Sequence, residues 1–249
     1  MIVLGLDLEA TGLDKVKDRP IEVGLCLWST NFERGLESRS ILVQSEGVKV
    51  TDEITEITGI NQKMVDKFGW EPAEAFEEVL YWVERAEAIV AFNGRRFDIL
   101  MMHQWASRLN QTFPDKLIID PFEDMPKFRD TPVGGMRGQE LITMCAKNGI
   151  FYDAHEASAD VGAMLRLMAT RPFELVLQRA QSPTIIIQSK QGRNENEKVK
   201  KHRFRWNAEF KLWWKPVKKI DLDLLVKEVN NEFGLVEIDI PIEKLDSNG

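Results

Sequence analysis

Cysteine is scarce in this chain. Cys26 and Cys145 are the only two in 249 residues, far apart and in apolar surroundings. Two lone thiols exclude a disulfide framework and give no zinc-binding spacing. They read as small core residues of a protein from a reducing compartment. Long apolar runs are missing too. No stretch approaches the roughly 18–20 residues of a membrane span. The first nine residues are apolar, but they carry Asp7 and lack the basic residues that open a secretion signal. A cytoplasmic location without membrane attachment is the expectation. No internal repeat is visible. Net positive charge is also lacking: the formal balance is −7. That deficit is uneven. Residues 1–182 hold 20 Lys/Arg against 29 Asp/Glu, while 183–249 hold 13 against 11. Within 190–219 there are 11 basic and 3 acidic residues, so the positive charge sits in one C-terminal stretch.

What is present is ordinary for a globular protein, 43% hydrophobic and 29% charged residues. The length suits one large domain, or a large one with a small one attached. Ile2 to Leu8, Pro20 to Trp28 and Ser40 to Val43 read as strands of an antiparallel meander. Ala73 to Arg85 has the 3–4 apolar spacing of a helix, with Phe76, Val79, Leu80 and Val83 on one side. Short strands follow at Ala88 to Phe92 and Lys116 to Ile119. Helices are expected at Phe97 to Leu109, Gln139 to Lys147 and His155 to Met168. Phe128 to Gly138, with three glycines and a proline, reads as a flexible loop. Three strands followed by alternating helices and strands imply an α/β fold, a mixed sheet flanked by helices.

A boundary is expected near Gln181-Ser182-Pro183, dividing residues 1–182 from a small α/β module at 183–249. In that module Thr184 to Gln188, Phe210 to Val217 and Leu235 to Ile240 read as strands. Glu195 to His202 and Leu222 to Glu232 read as helices.

Three segments bring acids to places where acids are costly. Asp7 and Glu9 are two apart at the end of a buried strand, so both face one way and repel unless a cation lies between them. Asp98 follows a strand and a polar turn and opens a helix, a position that also suits a capping residue. Asp160 shares the apolar stripe of its helix with Met164 and Leu167, where a carboxylate needs a partner. His155 lies five residues before it, close to the helix start.

Together these segments resemble the DnaQ-like, DEDDh family of 3′→5′ exonucleases, in the ribonuclease H-like superfamily. The matching motifs are Asp7-x-Glu9 with Thr11-Gly12, Asn93-x-x-x-Phe97-Asp98, and His155-x-Ala157-x-x-Asp160. Pro20-Ile21-Glu22-Val23-Gly24, Thr58-Gly59-Ile60 and Ile119-Asp120 agree as well. The resemblance covers about residues 1–170. Leu8 and Ala10 stand where the family often has Thr, and Phe92 where it often has His. None of these is a metal ligand.

The resemblance implies two divalent cations, Mg²⁺ or Mn²⁺ in its place, held by Asp7, Glu9, Asp98 and Asp160. Ligation by carboxylates alone suits such hard ions. It implies that Asp7, Glu9 and Asp160 hold the ion that activates water, and that Asp7 and Asp98, the latter through water, help hold the second. His155 becomes the general base, for which an imidazole is suited. Thr11, Leu13, Asn93 and Phe97 would hold the last nucleotides. The expected partner is a single-stranded DNA 3′ end, with RNA as the alternative, and the product is a nucleoside monophosphate. A chain of this kind with no polymerase segment would suit a replication or polymerase partner. A fold of this kind that had lost activity, leaving a silent binding module, would lack one of the five residues, and all five are here.

The C-terminal module leaves two readings open. From Lys198 to Pro216 basic residues alternate with aromatics, including Trp206, Trp213 and Trp214. These could grip a single strand through phosphates and bases. They could equally be the core of a domain of about 60 residues, which needs large side chains to fold. Alternation along a strand puts Trp213 and Trp214 on opposite faces, so at most one is expected to be fully buried.

Overall fold

The computed structural model describes residues 1–125 and 140–246. The glycine-rich stretch Phe128 to Gly138 lies outside them. The described residues form two compact units. One comprises Met1–Met125 and the chain from Glu140 to Leu177, and the other starts at Gln178.

The first unit opens with the expected meander: β1 (Ile2–Ala10), β2 (Pro20–Ser29) and β3 (Arg34–Leu42), all antiparallel. β3 begins six residues before the expected Ser40. It is an edge strand whose first five residues are exposed, so no apolar alternation marks it in the sequence. Helices α1 (Asp52–Thr58), α2 (Gln62–Phe68) and α3 (Pro72–Glu84) follow. Then come β4 (Ala88–Val90), α4 (Asp98–Arg108), β5 (Leu117–Ile119), α5 (Pro121–Asp124), α6 (Leu141–Lys147) and α7 (Ala157–Met168). Helix α8 (Phe173–Gln181) closes the series, and its last four residues, from Gln178, belong to the second unit. β4 and β5 join the sheet in parallel, giving the order β3-β2-β1-β4-β5. The result is the α/β arrangement expected, a mixed five-stranded sheet flanked by helices.

β1 is central, and its two faces do different work. Leu4, Leu6 and Leu8 join Phe76, Val79 and Trp82 of α3 and Met101, Met102 and Trp105 of α4 in one apolar cluster. The other face receives α7, and it does so because side chains are missing there. A Cβ on Gly5 would lie 2.7 Å from Val161 and 2.8 Å from Leu165. One on Gly24, which pairs with Asp7 across the sheet, would lie 2.3 Å from the Ala157 backbone. Period-two alternation puts Asp7 and Glu9 on this same face, after Gly5. The close seat of α7 therefore delivers Asp160 to Asp7 and Glu9. Cys26 and Cys145 are both free and buried, as core residues.

The second unit holds β6 (Thr184–Ser189), α9 (Asn196–Lys201), β7 (Arg205–Asn207), β8 (Leu212–Lys218), α10 (Leu222–Val229), β9 (Leu235–Ile238) and α11 (Ile242–Asp246). Its antiparallel sheet runs β7-β8-β6-β9. Here one expectation fails. Trp213 and Trp214 do point to opposite faces, but both are buried, at 3% and 1% exposure. Trp213 packs with Ile187, Val199, Phe204 and Leu225, and Trp214 with Ile186, Leu212 and Leu245. Leu245 belongs to α11, whose sequence is short and polar. That helix covers the second face and gives the small sheet two cores. Among the described residues no helix is long and apolar enough to cross a membrane.

Candidate active site

Asp7, Glu9 and Asp160 meet where β1 passes the first turn of α7. Each offers a carboxylate oxygen, and the three atoms lie within 4.8 Å of one another. Asp98 is buried at the start of α4 and sits outside that trio. Its Oδ1 accepts a hydrogen bond at 3.0 Å from the N–H of Leu8, the residue between Asp7 and Glu9. That bond ties α4 to the strand at the site itself.

The charges that weigh most on Asp7 are other acids: Asp98, Asp160, Glu9 and Glu22. Burial first, and these neighbours next, hold its carboxyl well above the ordinary range. The same causes push Glu9 up to about 8. Asp98 is raised chiefly by burial, against the hydrogen bonds from its own N–H and that of Leu8. Asp160 is raised by burial, opposed by its donors. Four carboxyls held up chiefly by burial, with acidic neighbours adding to it, are a donor set suited to divalent cations. Oxygen-only ligands match hard ions, and a cation would relieve the repulsion.

Both oxygens of Asp160 are held in place. Tyr152 donates its hydroxyl to Oδ1 at 2.8 Å, and the backbone N–H of His155 donates to Oδ2 at 2.8 Å. Burial and Asp160 raise the Tyr152 phenol, which keeps it a donor. His155 was expected inside the helix. It lies two residues before α7, in the left-handed region at φ 68°, where its N–H can turn toward Asp160. Its imidazole is exposed.

The expected substrate contacts divide. Leu13 is 79% exposed at the tip of the loop after β1. Phe97 is half-buried, with the Lys15 ammonium 5.6 Å from its ring centroid, so the loop and the start of α4 face each other. Thr11 is buried, and its hydroxyl is committed to the loop: it donates to Asp18 at 2.9 Å and accepts from the Arg19 N–H at 3.0 Å. Asn93, at φ 56°, spends its N–H on Asp120 at 2.7 Å.

Four residues beyond the expected set shape the site. Besides Tyr152, Glu22 pairs with Glu9 across the sheet and accepts the Ala157 N–H at 3.1 Å, capping α7 from the neighbouring strand. Asp18 organises the loop, and Gly12 fits beside it because a Cβ there would touch its carboxylate at 2.5 Å. Asp120, pushed up to about 6 mainly by burial, anchors the turn before Asp98. Register against Glu9 could have singled out Glu22. Nothing in the spacing marks Tyr152.

A model of the exonuclease family RNase T matches residues 4–168. This chain belongs to that exonuclease family. It is a DnaQ-like DEDDh exonuclease, with the ribonuclease H-like fold expected from its motifs. No curated protein matches it significantly.

Solved structures that share the exonuclease's fold include those of 3′hExo and Exonuclease I. The nuclease domain of 3′hExo, a DEDDh family member bound to rAMP, aligns with TM-score 0.57 and 18% identity over 68% of this chain and 90% of that one. The zinc-bound E. coli Exonuclease I–single-stranded DNA complex aligns with TM-score 0.60 and 18% identity over 75% and 47%. Exonuclease I of Methylocaldum szegediense gives 0.58 and 19% over 78% and 49%. The chain thus spans about half the length of these Exonuclease I structures.

Proposed function

We propose that this exonuclease removes nucleotides one at a time from the 3′ end of single-stranded DNA. Asp7, Glu9, Asp98 and Asp160 hold two divalent cations, Mg²⁺ or Mn²⁺. The observation that carries the reading is the trio of carboxylate oxygens within 4.8 Å, with His155 tethered to one of its members. Bound there, the cations would supply Lewis-acid charge to the scissile phosphodiester and the attacking water.

The chain's own residues do the rest. His155 takes the proton from the attacking water, and its main chain is fixed on Asp160 while its exposed ring stays free to approach. Tyr152 and the His155 N–H hold Asp160 in one orientation, and Leu8 does the same for Asp98. Leu13 and Phe97 offer apolar surface to the terminal base, and Lys15 beside Phe97 is placed to meet a phosphate. DNA is favoured by the likeness to Exonuclease I bound to single-stranded DNA. The second reading, an RNA exonuclease, is favoured by the likeness to a nuclease bound to a ribonucleotide.

The test is stepwise shortening of 5′-labelled single-stranded DNA with Mg²⁺ or Mn²⁺, stopped by EDTA. Circular and 3′-blocked strands should resist. Efficient cutting of circles would overturn the reading, and faster cleavage of a matched RNA would move it to the second.

A further inference from the structure

The second unit contributes none of the four carboxylates, and its own charge is divided. Residues 190–219 carry a balance of +8, and residues 220–249 one of −6. The basic stretch builds α9, β7 and β8, with β7 at one edge of the sheet order β7-β8-β6-β9. The acidic stretch builds α10 and the opposite edge β9, and its Glu228 and Glu232 meet the basic stretch at Lys201 and His202.

A tryptophan sits within the positive edge. Trp206 of β7 is half-buried and lies edge-on to the buried Trp213, with ring centroids 5.3 Å apart. The exposed Arg193 guanidinium lies 5.9 Å from the Trp206 centroid, and the Lys200 ammonium 5.9 Å from that of Trp213. Lys198 and Arg203 are exposed nearby in sequence, the latter at φ 60° just after α9. None of these four cations pairs with a described acid, whereas Lys201, next to Lys200, pairs with Glu232 at 3.2 Å. Burial removes Trp213 and Trp214 as stacking surfaces and leaves the half-buried Trp206, with Phe210 38% exposed just after β7. Unpaired cations around an accessible aromatic face supply the two contacts a flexible strand needs, one for phosphates and one for a base.

We infer that the β7 edge of the second unit, centred on Trp206 with Arg193, Lys198, Lys200 and Arg203, is a binding site for single-stranded nucleic acid. These contacts use neither the 2′-hydroxyl nor a base edge, so the site accepts DNA and RNA alike and reads no sequence. The inference goes beyond the cleavage reading, and its test is kept apart from it.

The full-length protein is titrated in EDTA with fluorescein-labelled oligothymidylate, by anisotropy, across a salt series. On single strands each neutralised phosphate contributes about −0.7 to the slope of log affinity against log salt. The triple variant Arg193→Ala, Lys198→Ala, Lys200→Ala should bind about tenfold more weakly, with a slope flatter by about 1–2. Trp206→Leu keeps apolar bulk in place and should lose about fivefold or more with little change in slope. Oligouridylate should behave in parallel, and thermal melts establish that both variants are folded. Wild-type affinity and slope in the triple variant would overturn the inference. So would equal losses for polyglutamate and oligothymidylate together with no effect of Trp206→Leu, since the edge would then be a general anion surface. EDTA prevents cleavage, so a protein that binds here and degrades nothing refutes the cleavage proposal alone. One that degrades strands but ignores these substitutions refutes this inference alone.

Discussion

Without a cation, the acid cluster should make the protein less stable as pH rises, and a divalent ion should reverse that. Glu9 titrates from an ordinary 4.5 up to about 8 in the folded chain. The folded state therefore holds its proton more tightly than the unfolded state. Stability from this group is full below about 4.5 and is lost as pH rises through about 8. One pKa unit is worth about 1.4 kcal/mol, so the whole shift would carry about 5 kcal/mol. Glu9 is partly exposed, and solvent screening reduces that to about 2 kcal/mol. Asp7, Asp98 and Asp160 shift the same way. At about 2–4 °C per kcal/mol for a domain of this size, the EDTA-treated protein should melt about 4–8 °C lower near pH 8 than near pH 5. Cation binding favours the ionised carboxylates and so releases protons. Saturating Mn²⁺ should flatten or invert the slope. Melting curves from about pH 5 to pH 8, with EDTA or Mn²⁺, read this directly. Calorimetry in two buffers of different ionisation enthalpy counts the protons. Glu9→Gln cannot ionise and should flatten the EDTA slope. If wild type and Glu9→Gln gave parallel curves with no proton release on Mn²⁺ binding, the electrostatic account of the cluster would be wrong.

Other perturbations probe the remaining parts. Asp98→Asn keeps an oxygen for the Leu8 N–H and removes the charge. It should lose about 10²-fold or more in turnover while melting near wild type, and near-normal turnover would remove Asp98 from the ligand set. His155→Ala should cost about 10²–10⁴-fold in turnover and change metal affinity little; an unchanged rate and pH profile would point to another base. Tyr152→Phe should weaken Mn²⁺ binding about 10- to 100-fold, read by calorimetry, and equal affinity would show that its hydroxyl does not orient Asp160. Gly24→Ala should cost about 1–3 kcal/mol and lower activity with it, since α7 must back away from β2; a wild-type melting point would mean that α7 is not seated as described.

Much of this arrangement was legible because burial and charge conflict in few places. Asp7 and Glu9 share a face by period-two alternation, and Asp160 sits on an apolar stripe. Both patterns are local. The same logic led to β1, β2, α3 and α4 within a residue or two. Where local signal fades, the reading stops. α1 buries no residue, and both α1 and α2 span only seven, held by the caps of Thr51 and Asn61 and ended by Gly59 and Gly69. β3 is polar because it is an edge. Tyr152 reaches Asp160 through a loop whose path no periodicity encodes. Trp214 is buried by α11, a distant contact that alternation along β8 cannot foresee.

The hydrogen bond from the His155 main chain to Asp160 also joins two roles that are usually counted separately. On the proposed roles, removing the Asp160 carboxylate takes away a metal ligand and, with it, the described acceptor that holds the His155 backbone in its left-handed turn. The dependence runs one way. A lesion at Asp160 already includes part of a lesion at His155, so the two together should cost less than the sum of their separate losses. The N–H that steadies Asp160, by contrast, belongs to the backbone and survives any substitution at position 155 except proline.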